Sequence, residues 1–307
     1  MLKNYFSLLF IGLFLFPLGL TSQEIRIFKV EDFDLKGKVK SCLVSTKYGK
    51  EEYDFNEDGL LTKSVTRYND NDYAITYYKY LEHLLLEKRF ENYRDKTFDP
   101  ASSIANIYAI DSSANLKITE KIISYEKEFL DQYEYFFAND TIRRIVRMNN
   151  DGIDETLISY TMLKGEWTKT YELNGVLKES IRTSVKKHAD SVLSKTILTK
   201  KYLEGDPSSA TEEVFDGKSR LTTRINFFYN SDLKQFTKEE VVKYLYDESG
   251  VLLSTLSVMG ELAEKKGYVY QFDPNANWIK EIITPDNSYK TRKITYYETA
   301  DEAVKQE

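Results

Sequence analysis

Polar and apolar positions alternate along most of this chain with a period of two, and the alternating runs are cut by Asn, Asp and Gly. Residues 243–254 show the unit most completely: Tyr244 and Tyr246 flank Leu245, Asp247 to Gly250 supply turn chemistry, and Val251-Leu252-Leu253 begins a return. A period of two places successive side chains on opposite faces of a strand, and Asp or Asn next to Gly closes a tight hairpin. The pattern recurs over Tyr53–Lys63 and, with variation, over Tyr268–Lys280. Asn174-Gly175 and Asp216-Gly217 mark further hairpins, and turn centres fall near residues 58, 82, 115, 139, 165, 175, 217, 249 and 276. Spacings of roughly 20 to 35 residues belong to repeat architectures. One hairpin cannot bury its own apolar face, whereas hairpins laid side by side can. The expectation is an all-β domain over residues 23–297: repeated antiparallel β-hairpins forming one extended curved sheet or an open barrel-like solenoid.

Three stretches depart from the pattern. Gln23–Glu31 reads as a leader with a short first strand in Ile25, Ile27 and Val30. Residues 92–115 read as a loop or insertion around Asp99-Pro100-Ala101-Ser102-Ser103, and residues 186–209 as a less regular zone ending in Gly205-Asp206-Pro207. Residues 298–307 form a polar tail.

The amino end changes the picture of compartment. Met1-Leu2-Lys3-Asn4, an apolar run from Leu8 to Leu20 and a polar exit at Thr21-Ser22-Gln23 have the layout of a signal peptide, residues 1–22. The run is shorter than the roughly 20 residues a membrane helix needs. Leu20 fits the small-residue preference at a cleavage site poorly, and no cysteine stands there to carry lipid. Export to the periplasm, the outer-membrane surface or the medium of a Gram-negative bacterium is expected, with no stable transmembrane span after signal removal. The formal charge of −6, one unit more negative once Lys3 is lost, makes nucleic acid a poor partner. The single cysteine, Cys42, has no intramolecular disulfide partner and sits in a strand alternation.

Candidate chemistry is sparse. His83 and His188 lie far apart without visible partners, and no nucleophile elbow, phosphate loop or zinc motif appears. Asp54, Asp58, Asp216, Asp247 and Asp273 invite a calcium or glycosidase reading. Each stands at a strand-to-turn junction, where Asp bonds its own backbone, and that reading is preferred. No catalytic residue, metal site or cofactor is assigned. The 24 tyrosines suit strands with one wet face. Among the aromatic rows, Tyr244, Tyr246, Tyr268, Tyr270, Trp278 and Trp167 are the candidate binding surface, against the alternative that alternating Tyr serves cross-strand packing.

The unit Tyr-x-Tyr-Asp-x-x-Gly-x-Leu at Tyr244–Leu252, with its variant at Tyr53–Leu60, resembles the tyrosine-aspartate (YD, Rhs-like) repeats. Leu35–Ser41, Tyr268–Lys280 and Thr291–Tyr297 look like parts of short exported repeat proteins common in Bacteroidetes. The resemblance implies stacked hairpins and no activity of its own. Ala276 stands where the repeat carries Gly. The function expected is an exported non-enzymatic β-repeat protein, a cell-envelope binding or structural module whose partner is an unknown envelope protein or a glycan. The alternatives are a carbohydrate- or small-ligand-binding protein, less readily a carbohydrate-active one, and a toxin-immunity partner. Acids facing aromatics across one concave surface would favour the carbohydrate reading. Oligomeric state is left open.

Overall fold

The computed structural model describes residues 25–298 apart from 114, 127 and 188–192, so the expected signal peptide, His188 and the tail from 299 lie outside the described residues. The alternation becomes strands throughout. These are β1 (Val39–Thr46), β2 (Gly49–Phe55), β3 (Leu61–Arg67), β4 (Tyr73–Leu81), β5 (Leu84–Arg94), β6 (Thr97–Asp111), β7 (Lys117–Ser124), β8 (Phe129–Ala138), β9 (Thr141–Asn149) and β10 (Gly152–Leu163). There follow β11 (Glu166–Leu173), β12 (Val176–Lys187), β13 (Leu193–Leu203), β14 (Asp206–Phe215), β15 (Leu221–Asn230), β16 (Gln235–Tyr246), β17 (Leu252–Met259), β18 (Leu262–Phe272), β19 (Trp278–Thr284) and β20 (Ser288–Tyr296). Each strand pairs antiparallel with the next in sequence, and β1 pairs with β20, Cys42 opposite Ile294. The result is a 20-stranded up-and-down barrel. Closure leaves no edge with unpaired N–H and C=O groups. Of the two forms expected, the barrel-like one is found, and its ring is complete.

Two irregular stretches are corrected. Residues 97–111 form the 15-residue strand β6 rather than a loop. Pro100 and the serines mark a register shift against β5 between Phe90 and Asn92, where the Ser103 hydroxyl accepts the Asn92 N–H at 2.9 Å in place of a ladder carbonyl. The zone 186–209 is the pairing of β12, β13 and β14. The expected first strand at Ile25–Val30 is absent. Val30–Phe33 is a single 3-10 turn closed by Asp32, whose carboxylate accepts the Lys29 N–H at 2.8 Å, and its one β-bridge joins Lys29 to Leu60.

The repeated turn has a common geometry at one rim. In the β16–β17 turn Gly250 N–H donates to the Asp247 carbonyl, Asp247 N–H donates to Val251 O, and the Asp247 carboxylate accepts the Val251 N–H at 2.8 Å. Asn56, Asp216 and Asp273 make the equivalent bonds in the β2–β3, β14–β15 and β18–β19 turns. The third position after each is left-handed: Gly59 (φ 77°), Ser219 (61°), Gly250 (94°) and Ala276 (58°). Glycine adopts this conformation at least cost, so Ala276 holds it under mild strain.

These bonds set an acid dependence. The Ser249 hydroxyl, then the Val251 N–H, hold the Asp247 carboxyl below its ordinary range. A carboxyl depressed by folding stabilises the fold fully above its unfolded value of about 4, and that contribution disappears as pH falls through the folded value. Asn56 shows that an amide makes the same turn. Asp247→Asn should therefore leave stability near pH 7 almost unchanged while flattening its fall below about pH 4, read by denaturant titration across that range.

Candidate ligand-binding face

Cross-strand partners share a face, so the registers sort every strand residue onto one of two walls. Cys42, Tyr53, Ser64 and Thr76 lie on one, continued by Asn106, Glu120, Tyr133 and Arg147. That wall is the inner one. Phe28 O accepts the Leu61 N–H at the start of β3, while Ile25 packs on the cluster of Tyr135, Ile145 and Ile158 on β8 to β10. Three residues reach at most about 11 Å, whereas five strands occupy about 24 Å of wall. Only a path across the concave side joins the two contacts.

The same registers place all six sequence-predicted residues on the inner wall. Tyr244 pairs with Thr255, and Thr255 with Lys266, which shares its face with Tyr268 and Tyr270. Tyr270 pairs with Glu281, and Trp278 with Phe272. Five of the six come together on β16, β18 and β19. Tyr268 and Tyr270 stack with ring centroids 6.5 Å apart and planes at 15°, and Tyr270 lies 6.4 Å from Trp278. The Thr255 and Tyr268 hydroxyls lie within 3.2 Å, and Tyr246 donates to Leu221 O at 2.9 Å. Trp167, on β11, shares the inner wall but not this cluster, and its ring is 56% exposed.

Charged groups are set among the rings. Burial first, and then Glu281, pushes the Tyr270 hydroxyl well above the usual phenol range. Glu281 is paired with Lys290 at 3.1 Å. Further along the wall Glu240 accepts from Ser257 at 2.6 Å and from the Asn226 amide at 3.0 Å. The Arg292 guanidinium lies 3.6 Å above the Trp278 ring. Arg292 and Asn277 were missed in the sequence. The parity of Arg292 with Ile294 and Tyr296 on the last strand was the available signal for the first, and nothing local marked the second. Among the described residues no group of His, Cys, Asp and Glu is disposed to hold a metal ion, and the five aspartates serve turns or surface ion pairs such as Asp54–Lys63 at 3.6 Å. His83 occupies the left-handed second position of the β4–β5 turn.

The two halves of the inner wall differ. On β1 to β10 it is packed: Cys42, Phe55, Tyr108, Glu120, Tyr135 and Ile158 are all buried. On β10 to β18 the inner-wall Met162, Val185, Phe228, Met259 and Leu262 are exposed. The inner wall is thus densely packed on β1 to β10, whereas on β10 to β18 apolar residues near the strand ends are exposed and Tyr244 and Tyr268 are half-buried.

No family model matches the chain, and no curated protein does. The tyrosine-aspartate resemblance therefore rests on the turn residues alone. Among solved structures the chain is similar to a porin-like protein from Bacteroides uniformis ATCC 8492, at 10% identity over 84% of this chain and 98% of that one, with a TM-score of 0.31. It is also similar to a porin-like protein from Bacteroides vulgatus ATCC 8482, at 7% identity over 85% and 99%, with a TM-score of 0.26.

Proposed function

We propose that this chain is an exported, non-enzymatic binding module of the Gram-negative cell envelope, working in water as a barrel whose inner wall takes a glycan. The observation that supports this reading is the half-buried row of Tyr244, Tyr268 and Tyr270 on one concave face, interleaved with Glu240, Glu264 and Glu281. Sugar rings offer flat C–H faces that stack on aromatics and hydroxyls that bond carboxylates, so this mixture suits them better than a purely apolar ligand. It is the arrangement expected of the carbohydrate-binding alternative. A structural role by outer sheet surface alone does not call for a row of rings on the inner wall.

Mature chain, residues 23–307, applied to a glycan array should give saturable binding. Tyr244→Ala with Tyr268→Ala should weaken that binding at least tenfold, since buried aromatic anchors dominate such contacts. Tyr77→Ala, on the outer wall, should leave it intact. Glycan binding that survives the inner-wall pair, or a single stoichiometric envelope protein captured with no glycan bound, would overturn the reading.

A further inference from the structure

The segment from Phe28 to Lys36 is not part of the barrel wall, yet the barrel grips its backbone and side chains on both flanks of the 3-10 turn Val30–Phe33. Two of its backbone groups pair with the β2–β3 turn, Val30 N–H to Gly59 O and Phe28 O to Leu61 N–H, each at 3.0 Å. Arg292 donates to the carbonyls of Phe33 at 2.9 Å and Asp34 at 3.2 Å. Asn277, 1% exposed, grips Lys36 from both sides: its Oδ1 accepts the Lys36 N–H at 2.7 Å and its Nδ2 donates to the Lys36 carbonyl at 2.9 Å. Side chains fill the intervals. Phe33 packs on Tyr53 with centroids 4.5 Å apart and on Phe55 at 5.4 Å, Phe28 meets Tyr78 edge-on at 6.3 Å, and Val30 and Leu35 are buried with Cys42 beneath them.

Bonds to backbone groups give affinity whatever the side chains, and pockets at chosen side chains give specificity. The groove has both. Behind the segment stands Gly37 at φ 82°, a position where an L side chain is strained and where the chain leaves the groove for β1. A short element joined to the rest of the fold through a single glycine is the arrangement that lets identical elements exchange between copies.

We infer that the inner groove floored by β19, β20 and β1 to β3 is a peptide-binding site, that residues 28–36 are its occupant in cis, and that the same segment of a second copy can replace it. The second copy is the one partner certain to carry the complementary side chains in register. The inference does not depend on the glycan reading, because the groove is built by the cluster of Cys42, Phe55 and Leu61 and not by Tyr244 or Tyr268.

In cis the segment has an effective concentration of the order of millimolar, so an added peptide competes only when the resident one is weakened. The test therefore uses the full mature chain carrying Phe28→Ser and Phe33→Ser, with a labelled synthetic peptide of residues 25–36. Cys42 is an internal reporter, since it is 2% exposed under the segment and burial pushes its thiol up to about 11. Alkylation of Cys42 by iodoacetamide should be at least tenfold faster in the variant than in the unchanged chain. Saturating peptide should bind, by fluorescence anisotropy, and return alkylation to the unchanged rate, whereas a peptide carrying the same two serines should do neither. A variant that keeps the far-UV β signature but fails to bind the peptide overturns the inference. So does a variant in which Cys42 stays unreactive. Should the double variant lose that signature, Phe33→Ser alone is taken through the same measurements, and the same outcomes decide.

Discussion

Glu120→Ala should destabilise the barrel by about 3 to 5 kcal/mol, the range found when one member of a buried, hydrogen-bonded charge cluster is removed. Glu120 is 2% exposed on the inner wall. Its Oε1 accepts from the Asn106 amide at 2.7 Å and the Tyr108 hydroxyl at 2.8 Å, and its Oε2 from the Tyr135 hydroxyl at 2.6 Å. Tyr135 is fully buried and Asn106 nearly so, so the alanine leaves donors with no water to turn to, each worth about 1 to 3 kcal/mol. Lys88 adds to the loss. Burial lowers its pKa and Glu120 opposes that shift, so removing the carboxylate strands a desolvated ammonium. Glu120→Gln keeps the size and one acceptor oxygen and should cost clearly less. Denaturant titration reads both as a lower midpoint. An unfolding free energy for Glu120→Ala within about 0.5 kcal/mol of the unchanged chain would mean that the cluster contributes nothing to the fold.

The strands were legible because a period of two is a local signal, and the hairpin turns because Asp247, Asn174 and Gly175 carry their geometry in their own side chains and backbone. Closure was not legible. Pairing Cys42 with Ile294 depends on the accumulated twist and stagger of the intervening strands, which no short window contains. The stretch around Pro100 misled for a related reason. Ser103 and Asn92 replace ladder bonds by side-chain bonds, so polar residues that usually mark a loop sit inside a strand. Of the candidate surface, the alternation of Tyr268 and Tyr270 correctly implied a shared face. That Trp167 stands apart from them is a matter of strand order. The leader segment was misread because Ile25, Ile27 and Val30 have strand character locally, and only the barrel supplies the groove that draws Phe28 and Phe33 into its lumen.

Residues 23–307 should stay monodisperse without detergent and should fail to float with liposomes. The reason lies in both walls. A barrel that spans a bilayer turns an apolar band about 25 Å tall to the lipid, and each Arg or Lys at mid-depth there costs about 2 to 4 kcal/mol. The outer wall of this barrel carries ion pairs along its strands: Arg67 with Glu52 at 2.7 Å, Arg89 with Glu87 at 2.9 Å, Arg144 with Glu155 at 3.2 Å and Arg182 with Glu166 at 3.5 Å. Lys243, Lys265, Lys280 and Lys293 share that wall by register. The inner wall offers no alternative, since Lys88, Arg147, Arg224 and Arg292 stand on it. Even five cations at the lower figure amount to about 10 kcal/mol, as much as a whole domain's stability. In water the same pairs cost little, because exposed ions keep their hydration and contribute at most about 1 kcal/mol each. Quantitative flotation with vesicles, or discrete conductance steps in a planar bilayer, would show that lipid meets one of these walls and that the aqueous reading of the barrel is wrong.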